Sequence, residues 1–300
     1  MRIPLVLLGL SLRLLAQKYA SKEFVESFTY SPMDQWDSLL EGIYLTKRNM
    51  SAYDNNLVHQ PPLVLHLWSK LLPLLSGRET LLFLFLELIM IGSLLNFSLV
   101  CISTILETEK YRKSVNKSSR GMLLSRSHFD LAPTLVLICY SVNPYSIVSF
   151  AAQSTSIVWN IVGVWSLIAC FSGHLIMASC LCAVGCYLRF YPGYMLLPIL
   201  ITPFSLPAAS GLPRRLLRAT ASLLGFALTL ASLFWASYLL ENGQWLFLNS
   251  VYLYQFTFAD CTAQLGIYWY MFVEMFEHFQ DLFVWVFQLL LPVLVVALSL

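Results

Sequence analysis

Between Leu131 and Pro213 the only formal charge is Arg189, and beyond Arg218 there is no lysine or arginine at all. No water-soluble core can be built from such a stretch without leaving large apolar patches on the surface. Composition agrees: 58% of the residues are hydrophobic and 11% charged, against about 25% charged in a soluble domain. The expected fold is an all-α integral membrane protein, since a helix satisfies its own backbone hydrogen bonds in hydrocarbon. A membrane is therefore the first partner expected, and no nucleic acid is.

A spanning helix needs about 20 apolar residues. The hydrophobic runs predict spans near 3–20, 79–103, 130–150, 155–172, 173–190, 193–206, 216–240 and 281–300, within a single transmembrane domain over 1–300. The first run, with Arg2 ahead of it and Ala16 near its end, has some features of a signal peptide. Arg13 interrupts its core, however, and Leu14 spoils the cleavage pattern, so it is read as a span. The run at 193–206 is bounded by Pro192 and Pro203 and is short enough for a half-span. Basic residues orient the scheme. Lys110, Arg112, Lys113, Lys117, Arg120 and Arg126 mark the 104–128 loop as cytosolic, and Arg214, Arg215 and Arg218 do the same for 207–218. Segments 21–78 and 241–280 then lie on the lumenal side.

The first lumenal segment is expected to hold structure. Ser31-Pro32-Met33-Asp34 has the chemistry of a helix start, with Ser at the cap and Asp reaching back. Trp36, Leu39, Leu40, Ile43 and Tyr44 follow on one helical face, and Pro61-Pro62 opens a second such stretch through Leu72. Both read as amphipathic helices lying in the interface plane. Of the sequons at Asn49, Asn96 and Asn116, only Asn49 is placed to be reached by lumenal glycosylation. Cys261 is the one cysteine in a lumenal segment, and no CxxC pair suggests a metal or redox centre.

Motifs of soluble enzymes are absent: no P-loop, GxGxxG, GxSxG or HExxH occurs, and the five histidines are scattered. No cofactor or metal is expected. What remains is the run Leu265 to Phe279, with six aromatic side chains, two glutamates and a histidine. It is too polar for a lipid-embedded helix, and Trp and Tyr favour the membrane–water interface. Glu274, Glu277 and His278 stand at i, i+3 and i+4, which puts them on one face of a continuous helix. That face could hold a metal, form the polar side of an interfacial helix, or meet the hydroxyls, amine or phosphates of a lipid head. Asp34 and Asp37, at i and i+3, offer a general base and metal ligand for a lipid-linked sugar transferase, against helix capping by Asp34. Arg189 suits either a lipid phosphate or snorkelling to the interface.

Three stretches together carry a family resemblance. They are Ser51-Ala52-Tyr53 with His59-Gln60-Pro61-Pro62-Leu63; Leu188-Arg189-Phe190-Tyr191-Pro192 with Leu197-Pro198; and Leu265 through Phe279. Their order and spacing resemble the PIG-U family, multi-span subunits of the GPI transamidase complex of the endoplasmic reticulum. The resemblance implies a GT-C-like helical bundle with lumenal interfacial helices, similar to GPI mannosyltransferases but without their chemistry. It implies a non-catalytic, multi-pass subunit of the endoplasmic reticulum membrane that helps attach GPI anchors to proteins. Its partners would be the other transamidase subunits, including the cysteine-protease-like catalytic one, and the GPI lipid itself. Tyr268, Trp269, Tyr270, Phe272, Glu274, Glu277 and His278 are the residues expected to meet that lipid, with His59 and Gln60 as lumenal support and Arg189 beside them. The alternative is an active mannosyltransferase using dolichyl-phosphate mannose, with Asp37 as its discriminating residue. Two departures stand out: Thr262, Ala263 and Gln264 replace the family's Thr-Pro-Asn, and the chain stops inside an apolar run at Leu298-Ser299-Leu300, as a C-terminally truncated member would.

Overall fold

The structure is a computed structural model, and it describes residues 2–21, 24–25, 31–48, 50–54, 57–75, 77–115, 129–205, 211–259, 261–263 and 267–299, with Glu277 and His278 in backbone alone. Asn49, Asn116, Lys117, Arg120, Arg126, Gln264, Leu265 and Gly266, named above, lie outside the described residues.

Among the described residues every regular element is helical. The chain runs α1 (Arg2–Tyr19), α2 (Trp36–Lys47), α3 (Pro62–Leu75), α4 (Glu79–Val115), α5 (Ala132–Ser141), α6 (Pro144–Ala151), α7 (Ser156–Phe171) and α8 (Leu175–Leu188). A 3₁₀ turn at Tyr191–Met195 leads into α9 (Leu196–Ser205), followed by α10 (Leu212–Leu240), a π turn at Leu248–Leu253, α11 (Tyr254–Thr257), α12 (Tyr268–Glu274) and α13 (Glu277–Ser299).

Among the described residues three helical stretches are long and apolar enough to cross a membrane: Glu79–Thr108, Leu212–Leu240 and Phe279–Leu298. A fourth crossing results if α5 and α6, bent by 46° at their junction, act as one. The bend follows from local sequence. Asn143 caps α6 through a 3.0 Å bond from the Tyr145 amide, and Pro144 at the first helical position cannot donate back to α5. α7 and α8, of 16 and 14 residues, are shorter apolar helices. At 1.5 Å per residue they are roughly 24 and 21 Å long, set against a hydrocarbon core of about 30 Å.

α8 sits between α7 and α10, α4 packs on α7, and α1 lies against α5 and α6. Large apolar side chains remain on the outside, as at Leu217, Leu224 and Leu228 of α10 and Leu289 and Val293 of α13. An outer surface of this kind is stable facing lipid or another protein, and not water.

The aromatic core lies at one end of this bundle. Trp36, Trp68 and Phe83 meet edge to face, with centroids 5.0 and 5.3 Å from Trp36. They tie α2 and α3 to the start of α4. Gly42 permits that approach: a Cβ there would meet a Leu65 methyl at 2.9 Å. The sequence expected a helix start at Ser31 to Asp34. Instead residues 32–34 form a turn, and α2 begins at Trp36 behind Gln35, with no side-chain cap.

A second polar centre lies inside the bundle. Arg13 of α1 is fully buried, with Nε 3.2 Å from Glu87 Oε2. Its Nη1 donates to the carbonyls of Gly9 (3.1 Å) and Ser141 (3.2 Å), and Nη2 to the Tyr140 carbonyl (3.4 Å) and the Ser146 hydroxyl (2.5 Å). The α5–α6 break frees carbonyls at the end of α5, and in a dry interior each would be costly to leave unpaired. The guanidinium fills that need. Gly9 lets the helices close to this range, since a Cβ there would lie 2.7 Å from Ser141 Cβ.

Candidate functional site

Five separated segments converge beside the aromatic core. The turn at 31–34 presents Asp34, whose carboxylate accepts from Arg189 Nη2; Nη1 of the same arginine reaches Met33 Sδ, and Nη2 lies 3.4 Å from Ser31 Oγ. Arg189 is 7% exposed. It is held by the turn at 31–34, far from the snorkelling geometry that its position at the end of α8 suggested. The Asp34 carbonyl accepts from both the amide (3.2 Å) and hydroxyl (3.3 Å) of Thr155. Gln60 Nε2 donates to Thr155 Oγ1 at 3.0 Å. Arg189 and Gln60 are thus joined through Asp34 and Thr155.

Gln60 Oε1 is buried without a hydrogen-bond partner among the described residues. It lines a narrow cavity of about 30 Å³ shared with Asp34, His59 and Thr155. A water needs only about 10–15 Å³ of such space, so one or two would satisfy this oxygen.

His59 faces the opposite wall. Its Nδ1 lies 2.6 Å from the Ser250 carbonyl, and its ring stacks on Tyr254 with centroids 3.6 Å apart at 11°. A carbonyl can only accept, so Nδ1 carries the proton. Burial lowers the His59 pKa, the bond to Ser250 opposes that shift, and the nearby Arg189 charge adds to it. A neutral imidazole is therefore the resting form at neutral pH. Ser250 Oγ donates to the Tyr53 carbonyl (2.9 Å), and Tyr53 OH donates to the Gln60 carbonyl (2.8 Å), closing a ring of bonds around the 57–61 loop. Burial, with Glu241 nearby, raises the Tyr53 pKa, keeping the phenol a donor.

The third stretch of the sequence argument, the aromatic run, is built differently. α12 spans Tyr268–Glu274, and Phe272 is its one buried side chain. Phe272 and Tyr268 meet Phe287 of α13 edge to face, at 6.3 and 4.9 Å. Ile267, Tyr268, Tyr270, Val273 and Phe276 are each more than half exposed. The helix ends where Met275 turns extended (φ −84°, ψ 146°), and α13 starts anew at Glu277. Glu274 is exposed at the close of one helix while Glu277 and His278 open the next. The common helix face expected for these three is broken at Met275.

One strand of contacts links the two regions. Gln288 of α13 donates to the Gln255 carbonyl and to Tyr191 OH, both at 3.1 Å. Gln255 Oε1 in turn accepts from the Phe190 amide at 3.2 Å, next to Arg189.

The model of the PIG-U family, described as GPI transamidase subunit PIG-U, matches residues 5–300. The chain belongs to this family. It is similar to the GPI transamidase component GAB1 of Saccharomyces cerevisiae, 27% identical over 272 residues, which cover 90% of this chain and 60% of that protein. It is similar to the GPI-anchor transamidase component PIGU of Homo sapiens, 25% identical over 271 residues, 86% of this chain and 60% of that protein. A GAB1 homolog of Schizosaccharomyces pombe is 22% identical over 306 residues. The chain spans about 60% of the length of the first two relatives.

Of the three stretches that carried the PIG-U resemblance, the fold unites two. Tyr53, His59 and Gln60 from the first meet Arg189 and Phe190 from the second in one buried network. The described part of the third, 267–279, stands apart on α12 and α13. Asp34, Thr155, Ser250, Tyr254 and Gln255 complete the network and were missed. The available signal was Arg189 itself: a charge within an apolar region needs a carboxylate partner, and Asp34 and Asp37 were acids already singled out in the sequence.

Proposed function

We propose that this chain is a non-catalytic subunit of a GPI transamidase, holding the GPI lipid beside the cysteine-protease-like catalytic subunit in the endoplasmic reticulum membrane. Membership of the PIG-U family and the names of its relatives support the subunit role. The observation that carries the lipid reading is the exposed aromatic segment 267–279, anchored through Phe272 on α13 with Glu274 exposed beside it. Amphipathic rings of this kind settle at headgroup depth, where a carboxylate meets the amine and hydroxyls of a lipid head. In this reading Tyr268, Trp269, Tyr270 and Phe272 form the interfacial wall. Glu274, Glu277 and His278 face the head or a partner subunit. His59, Gln60 and Arg189 hold the lumenal segment beneath them.

The bundle is read as GT-C-like, with eight passages, α2 and α3 in the lumenal interface, and the 104–128 and 207–218 loops in the cytosol. Asp34 is neutralised by Arg189, which disfavours its use as the general base of a sugar transferase.

The test is Glu274→Ala combined with Glu277→Ala in cells lacking the native subunit. Flow cytometry of surface GPI-anchored protein should fall while immunoblots show unchanged subunit. Normal surface levels in that variant would sink the lipid reading.

A further inference from the structure

A second cavity lies on the far face of α7, away from the aromatic segment. It holds about 200 Å³ and is lined by Glu87, Tyr140, Tyr145, Ser149, Ser156 and Asn160 among others. Ser154 and Ser156, both on its wall, flank Thr155, so it opens at the same end of the bundle as the Asp34 turn. So many polar side chains around one cavity are unusual in a chain with this composition, because each costs free energy in an apolar setting unless it is bonded.

The lining selects its ligand by three properties. First, the site is neutral. The Glu87 carboxylate is balanced by Arg13, whose Nη groups give four bonds to backbone carbonyls and Ser146 while Nε faces Glu87. No arginine or lysine stands among the lining residues to meet a phosphate, and no uncompensated carboxylate is left for an ammonium. Second, the available groups both donate and accept. Both the Arg13 ion pair and the hydrogen bond from Tyr140 OH (2.9 Å) fall on Oε2 of Glu87. Glu87 Oε1, the Ser149 hydroxyl and the Asn160 amide carry no hydrogen bond among the described residues. Hydroxyl groups, which give and take one bond each, match that mixture. Third, the rings of Tyr140, Tyr145, Phe83 and Phe150 supply an apolar wall between the polar groups. Ligand sites for drug-sized molecules are about 300–1,000 Å³. A cavity of 200 Å³ takes one ring and excludes an extended glycan.

We infer that this cavity binds a single neutral hydroxylated ring, a sugar or cyclitol, between the polar edge of α7 and the Tyr140–Tyr145 corner. The ring arrives either as the head of a membrane lipid or free in solution. The site does not depend on the lipid reading of segment 267–279, with which it shares no residue.

The test uses the full chain in nanodiscs containing phosphatidylcholine with equal amounts of phosphatidylinositol and phosphatidylserine. These two lipids carry the same charge, and only the first bears a hydroxylated ring. Native mass spectrometry reads the lipids retained. Wild type should retain phosphatidylinositol over phosphatidylserine. Asn160→Leu should cut that preference by about three- to tenfold, the loss of one or two neutral hydrogen bonds. Displacement by free myo-inositol would show that the ring alone suffices, and resistance to it would assign the site to the lipid-borne form. Equal retention of the two lipids by wild type, together with no effect of myo-inositol, overturns the proposal. So does a preference unchanged by Asn160→Leu. Should that variant fail to fold, Ser149→Ala, which removes the hydroxyl and adds no bulk to the cavity, decides in the same way.

Discussion

Arg13 and Arg189 are both buried and both face a carboxylate, Glu87 and Asp34, yet they hold different kinds of structure. Arg13 spends two of its bonds on the Tyr140 and Ser141 carbonyls at the end of one broken helix, within a few residues of Pro144, and a third on the Gly9 carbonyl of its own helix. Arg189 spends its bonds on side chains of a turn more than 150 residues away. The first arginine makes a helix break tolerable inside the bundle. The second fastens the 31–34 turn, and through Thr155 and Gln60 the 57–61 loop, to the end of α8. One is therefore expected to act on the stability of the whole bundle, the other on the placement of the 31–34 turn and the 57–61 loop.

The largest effect separating the two comes from removing one carboxylate in the dry interior. Glu87→Ala leaves the Arg13 charge buried without its counterion, and breaking such a pair costs about 3–5 kcal/mol. Thermal unfolding in nanodiscs should show a global loss. Arg13→Met with Glu87→Leu removes both charges, and apolar replacement of a buried pair is often near neutral. Here the freed α5 carbonyls remain, so recovery should be incomplete. Full recovery would mean that the backbone bonds of Arg13 contribute nothing, and the account of the helix break would fail.

A smaller and more local effect is expected at the other arginine. Asp34→Asn keeps the shape and one acceptor oxygen and loses the charge. Hydrogen bonds to charged groups are worth about 1.5–3 kcal/mol, and part of this should survive. Amide exchange should quicken in α2 and the 57–61 loop while α8 and α10 stay protected. A uniform rise in exchange across the bundle would erase the distinction between the two arginines.

How much of this could be read from sequence depends on whether the signal is local. The membrane character and the helical class were legible from the charge-free stretch alone. Arg189 stood out because it is the single charge between Leu131 and Pro213. Its partner did not, because capping chemistry gives Asp34 a sufficient local role, and only the fold brings α8 to that turn. Asn143-Pro144 carries a cap-and-proline signature, yet the hydrophobic run continues through it, so hydropathy reads the bent pair α5–α6 as one stretch. The break at Met275 has no proline or glycine to announce it. It arises where Phe272 docks on Phe287 and the Phe272 carbonyl accepts from Gln280 at 2.8 Å, both tertiary events. Periodicity assumes a continuous helix and so placed Glu274 and His278 on one face.

The smallest expected effect sharpens the comparison on the Arg189 side, and appears only in acid. The His59 pKa lies below its ordinary value of 6.5, chiefly through burial, with Arg189 contributing. Above about pH 6.5 the ring is neutral whether the chain is folded or unfolded, and titration adds nothing. As pH falls through 6.5 the unfolded chain takes up the proton first, while the folded site resists it. Stability is therefore lost across the window from 6.5 down to the lowered folded value, and is constant again below it. His59→Asn keeps a donor toward Ser250 and cannot titrate. Melting temperature measured from pH 7.5 to 5 should fall less steeply in this variant than in wild type. The two should converge in slope above pH 6.5. His66, also lowered by burial and by Lys70, titrates in both proteins and cancels in the difference. Parallel profiles throughout the acid range would mean that His59 is solvated in the folded chain, and that the Tyr254 stack and the Ser250 bond do not shield it.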